Sequence, residues 1–171
     1  MAAPFTDEQQ RKFDAEMAKY LARFPEGREA AAILPGLHLV QDLVGWISDE
    51  AMLQVAAKCK SPVERVREVA TFYVMYFLKP KGKHVVDVCT NISCSLRGAE
   101  VLIEHLEQKL GVHMGETTSD GLFTLREFEC LGACGNAPVV QVDSRFHMDM
   151  TLKKADRLIE DLRARAKQGG K

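Results

Sequence analysis

Lys79-Pro-Lys-Gly-Lys-His-Val-Val-Asp-Val-Cys-Thr-Asn-Ile-Ser-Cys94 is the stretch in which the chain changes character. Its first five residues combine two backbone breakers with three like charges, which predicts an exposed linker and places a domain boundary there. The next six, His84 to Cys89, form a β-branched run that reads as a buried strand. The run ends on a cysteine, and a second cysteine follows after four residues. Everything before this stretch has helical period, and strands enter only after it.

On the N-terminal side, Thr6 with Gln9 forms the pattern of a capping box, and Phe13, Met17, Tyr20, Leu21 and Phe24 then repeat on one helical face. A second apolar series, Ile33, Leu37, Val40 and Val44, contains Pro35-Gly36, which predicts a break or kink. Ser48 starts a third helix carrying Met52, Val55, Ala56 and Cys59 at helical spacing. Ser61 caps a fourth, with Pro62 at its first position, Glu64 closing the box, and Val63, Val66, Ala70, Tyr73, Val74 and Phe77 on its buried face. The expectation is a helical bundle over residues 1–80, with the single Trp46 in its core rather than on a contact surface.

On the C-terminal side, Phe123 to Phe128 and Val139 to Val142 read as further strands. A helix is expected from about Ser95 to Leu110, stopped by Gly111, with Ala99, Leu102, Ile103, Leu106 and Leu110 on one stripe. Another begins at Thr151 and repeats Leu152, Ala155, Leu158, Ile159 and Leu162. Gln168 to Lys171 reads as a frayed tail. Residues 81–171 therefore form a small α/β domain, and the whole chain is of mixed α+β and α/β class.

The chain has 171 residues, 46% hydrophobic and 27% charged, with a formal net charge of -1. Basic and acidic residues alternate, so no basic stripe suited to nucleic acid is present, and DNA, RNA and anionic membrane are not expected partners. No segment approaches the roughly 18 continuous apolar residues of a membrane span. The N-terminal residues are acidic where a transit peptide avoids acids, and they lack a signal-peptide apolar run. A cytoplasmic chain is expected, in a reducing compartment where five cysteines read as metal ligands or free thiols rather than disulfides.

Four of those five form two pairs, Cys89-x4-Cys94 and Cys130-x3-Cys134, each where a strand runs out. Neighbouring strand ends in one sheet would bring the two loops together. The second loop, Leu131-Gly-Ala-Cys-Gly135, is rich in glycine, which lets backbone N–H groups approach an anionic object. An iron–sulfur cluster with four thiolates is such an object, and its negative charge deepens on reduction, so N–H donors set its potential. No lysine or arginine lies inside either loop, and Arg97 is the nearest basic residue in sequence.

Other readings compete. A structural zinc site, stabilising an interaction module, would use the same ligands, but zinc favours C-x2-C knuckles, and neither pair has that spacing. Dithiol catalysis would want C-x-x-C at a helix start, which is also absent. A Rieske centre needs two histidines beside two cysteines, and His84, His105 and His113 are not so spaced. They read as surface or structural residues. Cys59 lies on an apolar stripe and reads as a small core hydrophobe. No G-x-G-x-x-G after a strand and no G-x-x-x-x-G-K-[ST] occurs, so no nucleotide site is expected on this chain.

Asp87-Val-Cys-Thr-Asn-Ile-Ser-Cys-Ser-Leu-Arg-Gly-Ala-Glu100, Thr118-Ser-Asp-Gly-Leu-Phe-Thr-Leu125 and Glu129-Cys-Leu-Gly-Ala-Cys-Gly-Asn-Ala-Pro-Val-Val140 resemble the thioredoxin-like [2Fe-2S] ferredoxin component, the E subunit, of bacterial NADH:quinone oxidoreductase, respiratory complex I. His38-Leu-Val-Gln41, Gly45-Trp-Ile-Ser48 and the stretch ending Glu68-Val-Ala-Thr-Phe-Tyr73 extend the resemblance into the helical half. It implies a thioredoxin-like domain from about residue 84 and one [2Fe-2S] cluster ligated by Cys89, Cys94, Cys130 and Cys134. The implied partners are the F-type flavoprotein subunit, which carries FMN and oxidises NADH, and other peripheral-arm subunits. The implied function is electron transfer by a chain that is not catalytic alone and is membrane-associated only through its parent complex. Related subunits occur in NAD-linked formate dehydrogenases and NAD-reducing hydrogenases, and the local motifs hardly separate these. Pro138 falls where thioredoxin-like folds often carry a cis-proline, and Asn136 reads as structural.

Overall fold

The computed structural model describes residues 4–168, and the expected frayed tail beyond Gln168 lies outside them. The chain divides into two compact units, one ending at Pro80 and the other beginning at Lys81.

The first unit is helical. Helix α1 spans Asp7–Leu21 and opens on a reciprocal cap. Thr6 N–H donates to Gln9 Oε1 at 2.9 Å and Gln9 N–H to Thr6 Oγ1 at 3.3 Å. A 3-10 turn, Glu29–Ala32, leads into α2, Ile33–Val44, followed by α3, Asp49–Lys58, and α4, Val63–Phe72. Phe13, Met17, Leu37, Val40, Val55 and Val66 are fully buried between these helices. Each such side chain contributes about 1.5–3 kcal/mol of burial free energy.

Four expectations for this unit are corrected. Helix α2 does not break at Pro35-Gly36, because Pro35 falls in the first turn, where a missing N–H has no intrahelical acceptor to lose. Gly36 is there for space: a Cβ would sit 3.1 Å from Met17 Sδ and 3.2 Å from Val55 Cγ1. Helix α4 is preceded by Pro62 rather than capped by Ser61, and no side chain caps it. It also stops at Phe72, leaving Val74 exposed and burying Tyr76 instead. The competing force is a side-chain latch. Gln41 Nε2 donates to Met75 O at 2.9 Å, and its Oε1 accepts from Phe77 N–H at 2.8 Å. Trp46 is half-buried at the end of this bundle rather than in its core.

The second unit carries a four-stranded sheet in the order β2-β1-β3-β4, with β1 at His84–Cys89, β2 at Phe123–Phe128, β3 at Val140–Val142 and β4 at Arg145–His147. Strands β1 and β2 are parallel, while β3 runs antiparallel to both β1 and β4. Val86 and Val88 of β1 and Leu125 of β2 share one buried core with α6, Ala99–Leu110, and α7, Leu152–Gln168. Thr151 Oγ1 accepts from Lys154 N–H at the start of α7, while Leu152 remains partly exposed.

The helix expected from Ser95 is two helices, α5 at Ile92–Leu96 and α6. Gly98 at φ +92° separates them, a left-handed conformation that ends one helix and begins the next. The expected exposed linker fails at Gly82, which is buried. Its N–H donates to Thr124 Oγ1 at 2.6 Å, and a Cβ would meet the Phe123 carbonyl carbon at 2.7 Å. Strand β4 has no counterpart among the strands expected from the sequence.

Candidate metal centre

The site grows out of the parallel β1–β2 pair. Cys89 ends β1 directly opposite Phe128, the last residue of β2, so both cysteine loops leave the same end of neighbouring strands. Thr90 N–H donates to Phe128 O at 3.0 Å, and Cys89 N–H donates to Val139 O at 3.1 Å. Thr90 Oγ1 also donates to Glu127 Oε1 at 2.8 Å, stitching the first loop to the second strand. Asn91 caps α5 through its own side chain, which places Cys94 on the buried side of that helix.

The second loop turns at Gly132, φ +72°, and delivers Cys134 into a 3-10 turn, Cys134–Asn136. The Ala137–Pro138 peptide bond is cis. Asn136 is fixed from outside the loop. Its Nδ2 donates to Asp149 Oδ2 at 3.2 Å, and its carbonyl accepts from Asp149 N–H at 2.7 Å. Leu131, Ala137 and Val139 pack with Cys89, Cys94 and Ala99 into a small apolar cluster that shields one side of the sulfurs.

The structure brings the predicted thiols near one another pairwise, not as one closed group of four. The Cys89 sulfur contacts those of Cys94 and Cys130, and Cys94 feels the charge of Cys134. Burial pushes the Cys89 thiol up, but the N–H groups of Asn91 and Leu131 and the thiols of Cys94 and Cys130 outweigh it, and the net shift is downward. Cys94 is pushed upward, first by burial and then by Cys89, against the N–H of Val139. Cys89 and Cys94 are buried, whereas Cys130 and Cys134 are exposed.

Among the described residues no three His, Cys, Asp or Glu side chains converge as a single metal ion would require. A [2Fe-2S] cluster asks for two thiolates per iron, with bridging sulfides completing each shell, and a two-plus-two set of thiols fits that demand. The N–H groups of Asn91, Leu131 and Val139 are not identifiable as individual donors in the sequence. The glycine-rich loop signals only that such donors exist.

The remaining candidates lie elsewhere. Cys59 is 1% exposed in the core of the first unit, where burial and then the charge of Glu29 push its thiol up to about 11. His84 pairs with Asp143 at 2.9 Å, His105 with Asp156 at 2.9 Å, and His113 approaches Glu107 at 3.5 Å. Arg97 is exposed at the end of α5.

A family profile described as thioredoxin-like [2Fe-2S] ferredoxin matches residues 17–163. The chain is 43% identical over 142 residues to the E subunit of NADH-quinone oxidoreductase from Rickettsia felis, covering 82% of this chain and 85% of that protein. It is 45% identical over 140 residues to the corresponding protein of Rickettsia bellii, with coverages of 81% and 83%. The E 2 subunit of the Rhizobium meliloti oxidoreductase is 40% identical over 149 residues, with coverages of 87% and 88%. Among solved structures, an NAD+-reducing [NiFe]-hydrogenase in the H2-reduced state superposes with a TM-score of 0.70 at 21% identity, over 80% of this chain and 23% of the hydrogenase chain. That likeness is one of fold, and this chain spans about a quarter of the hydrogenase chain it matches.

Proposed function

This chain belongs to the thioredoxin-like [2Fe-2S] ferredoxin family, and from that membership we propose that it is the E-type electron-transfer subunit of an NADH:quinone oxidoreductase, with its cluster held by Cys89, Cys94, Cys130 and Cys134. The observation that supports the ligand assignment is that both cysteine loops leave the same end of the parallel β1–β2 pair, with backbone N–H groups aimed at two of the sulfurs. Bound there, the cluster would take up and release one electron at a time.

The chain's own residues set the terms of that transfer. The N–H groups of Asn91, Leu131 and Val139 favour negative charge on the sulfurs, and so favour the reduced form. Leu131, Ala137 and Val139 keep water from the Cys89 and Cys94 side and oppose it by lowering the local dielectric. The two effects pull the potential in opposite directions, which is how one ligand set serves different potentials. The exposed Cys130 and Cys134 leave the second loop open to a partner.

The partner in this reading is a flavoprotein subunit that carries FMN and oxidises NADH, among other peripheral-arm subunits, so that catalysis lies on another chain. The helical unit through Pro80 is a separate domain that supplies part of the docking surface, and membrane association comes only through the parent complex. No helix among the described residues is long and apolar enough to cross a membrane. Relatives named as E subunits at 40–45% identity over most of their length favour complex I as the parent. An NAD-linked hydrogenase or formate dehydrogenase is the second reading, because the local motifs hardly separate these parents.

Anaerobically purified protein should be red-brown, with about two irons and two sulfides per chain and an EPR signal on reduction. Colourless protein with one zinc per chain would instead mean a zinc-stabilised interaction module. Co-purification with its flavoprotein, followed by identification of the remaining subunits, decides the parent complex.

A further inference from the structure

Helix α7 sorts its charges onto two flanks. Asp156 and Glu160 turn toward α6, where His105 Nε2 lies 2.9 Å from Asp156 Oδ1 and Lys109 Nζ donates to Glu160 Oε1 at 2.8 Å. Lys154, Arg157 and Arg165 instead line a groove of about 900 Å³ together with Arg145 of β4. Two carboxylates also border this groove. Asp143 accepts from His84 Nδ1 at 2.9 Å and from Val85 N–H at 3.2 Å and keeps its charge, so two carboxylates, Asp143 and Asp161, stand against four cations. Lys154 Nζ donates to the carbonyls of Met148 and Asp149, which hold the ammonium without neutralising it.

The same groove runs along a sheet edge. Strand β4 is outermost in the order β2-β1-β3-β4, so its outer row of backbone groups faces away from the sheet. The register fixes what each face offers. Arg145 and His147 stand opposite Val142 and Val140, which belong to the core beneath α6 and α7, so Arg145 and His147 face the helical side with the α7 cations. Phe146, opposite Gln141, faces the other way and is 47% exposed, and Met148 two residues on is 41% exposed. A strand laid against β4 would meet positive charge on one face and an apolar surface on the other.

We infer that the β4 edge with its basic α7 flank is a docking site for an extended segment of a partner polypeptide whose residues alternate acidic and apolar, added to the sheet as a further strand. Backbone pairing along β4 supplies affinity. The alternation supplies specificity, since acidic side chains fall toward Arg145 and Arg157 and apolar ones beside Phe146. The inference is independent of the metal centre and stands whether or not the ligand assignment does.

A fluorescent peptide, acetyl-Glu-Val-Glu-Val-Glu-Val-Glu-amide, titrated into the full-length chain at low salt tests this by anisotropy, with its lysine-for-glutamate counterpart as control. The glutamate peptide should bind saturably and slow amide exchange at Phe146 and Met148, whose N–H groups point away from β3, while Arg145 and His147 already pair with β3. The pair Arg145→Glu with Arg157→Glu should weaken it roughly tenfold, equivalent to ~1.4 kcal/mol, while the corresponding pair of lysine substitutions retains it. Where the double reversal does not fold by circular dichroism, Phe146→Ala serves, and weaker binding is again expected. The inference is overturned by no saturable binding, by equal binding of the lysine peptide, by unchanged affinity in folded variants, or by protection away from β4. It is also overturned if sedimentation shows the unliganded chain dimerising with the Phe146 and Met148 amides protected, since the occupant is then a second copy.

Discussion

Arg126 Nε donates to Asp87 Oδ1 across 2.8 Å, joining two residues that stand directly opposite each other on parallel β1 and β2. The Asp87 side chain is 4% exposed and that of Arg126 21%. The pair sits two residues before Cys89 and so couples the two strands just ahead of the cysteine loops. Removing one member of a buried pair costs about 3–5 kcal/mol, and the partial exposure of Arg126 puts this case at the lower end. Asp87→Ala should therefore lower the unfolding free energy by about 3 kcal/mol in urea denaturation and hasten bleaching of the visible spectrum. An unchanged urea midpoint would refute this account of the strand pair.

Cysteine substitutions should separate cleanly. On the proposed ligand set, serine at Cys89, Cys94, Cys130 or Cys134 should abolish or strongly weaken the cluster's visible and EPR signals. Stability should fall with them, because a centre tying two loops contributes to folding. Cys59→Ala should cost about 1 kcal/mol as a core truncation and leave both spectra intact. A lost spectrum in folded Cys59→Ala protein would show that a ligand has been misassigned.

Two glycines should respond differently to alanine. At Gly82 the new Cβ meets the Phe123 backbone at 2.7 and 2.9 Å, and backbone in a sheet cannot step aside. Gly82→Ala should destabilise by about 1–3 kcal/mol, the cost of overpacking. At Gly36 the nearest atoms belong to the Met17 and Val55 side chains at 3.1–3.3 Å. Met17 can rotate, and alanine gains about 1 kcal/mol of helix propensity over glycine, so Gly36→Ala should be close to neutral. Thermal melts of the two variants in parallel provide the comparison.

Burial, joined by the charge of Arg145, holds His147 below its ordinary value of 6.5. The folded state therefore binds fewer protons there than the unfolded chain. His147 makes its full contribution above pH 6.5 and loses it as pH falls from 6.5 through the folded value. His147→Gln should flatten that part of the stability profile, as measured by melting temperature between about pH 7.5 and 5. Parallel profiles for the two proteins would rule out His147 as a contributor.

What is legible in the sequence is what local pattern determines. The β-branched run into Cys89, the Thr6–Gln9 cap and the apolar stripe of α6 follow from spacing alone, and the structure has all three. Pro35 misleads because its effect depends on distance from the helix start, which the apolar period does not fix to within a turn. Tyr76 takes the buried place expected of Val74 because Gln41, far earlier in the chain, captures Met75 and Phe77 on either side of it. Strand β4 is three residues long, too short to show alternation. At the metal centre the thiols are legible, whereas the N–H donors are not, because a backbone amide carries no residue signature.

The thiols divide unevenly, Cys89 and Cys94 enclosed and Cys130 and Cys134 open to solvent. On the proposed ligand set this gives the centre a front and a back. Cys130 and Cys134 would be the ligands reachable from solvent, while Cys89 and Cys94 would hold the enclosed side. Chelators and oxidants would enter from that front, and covering the second loop with a partner closes the doorway.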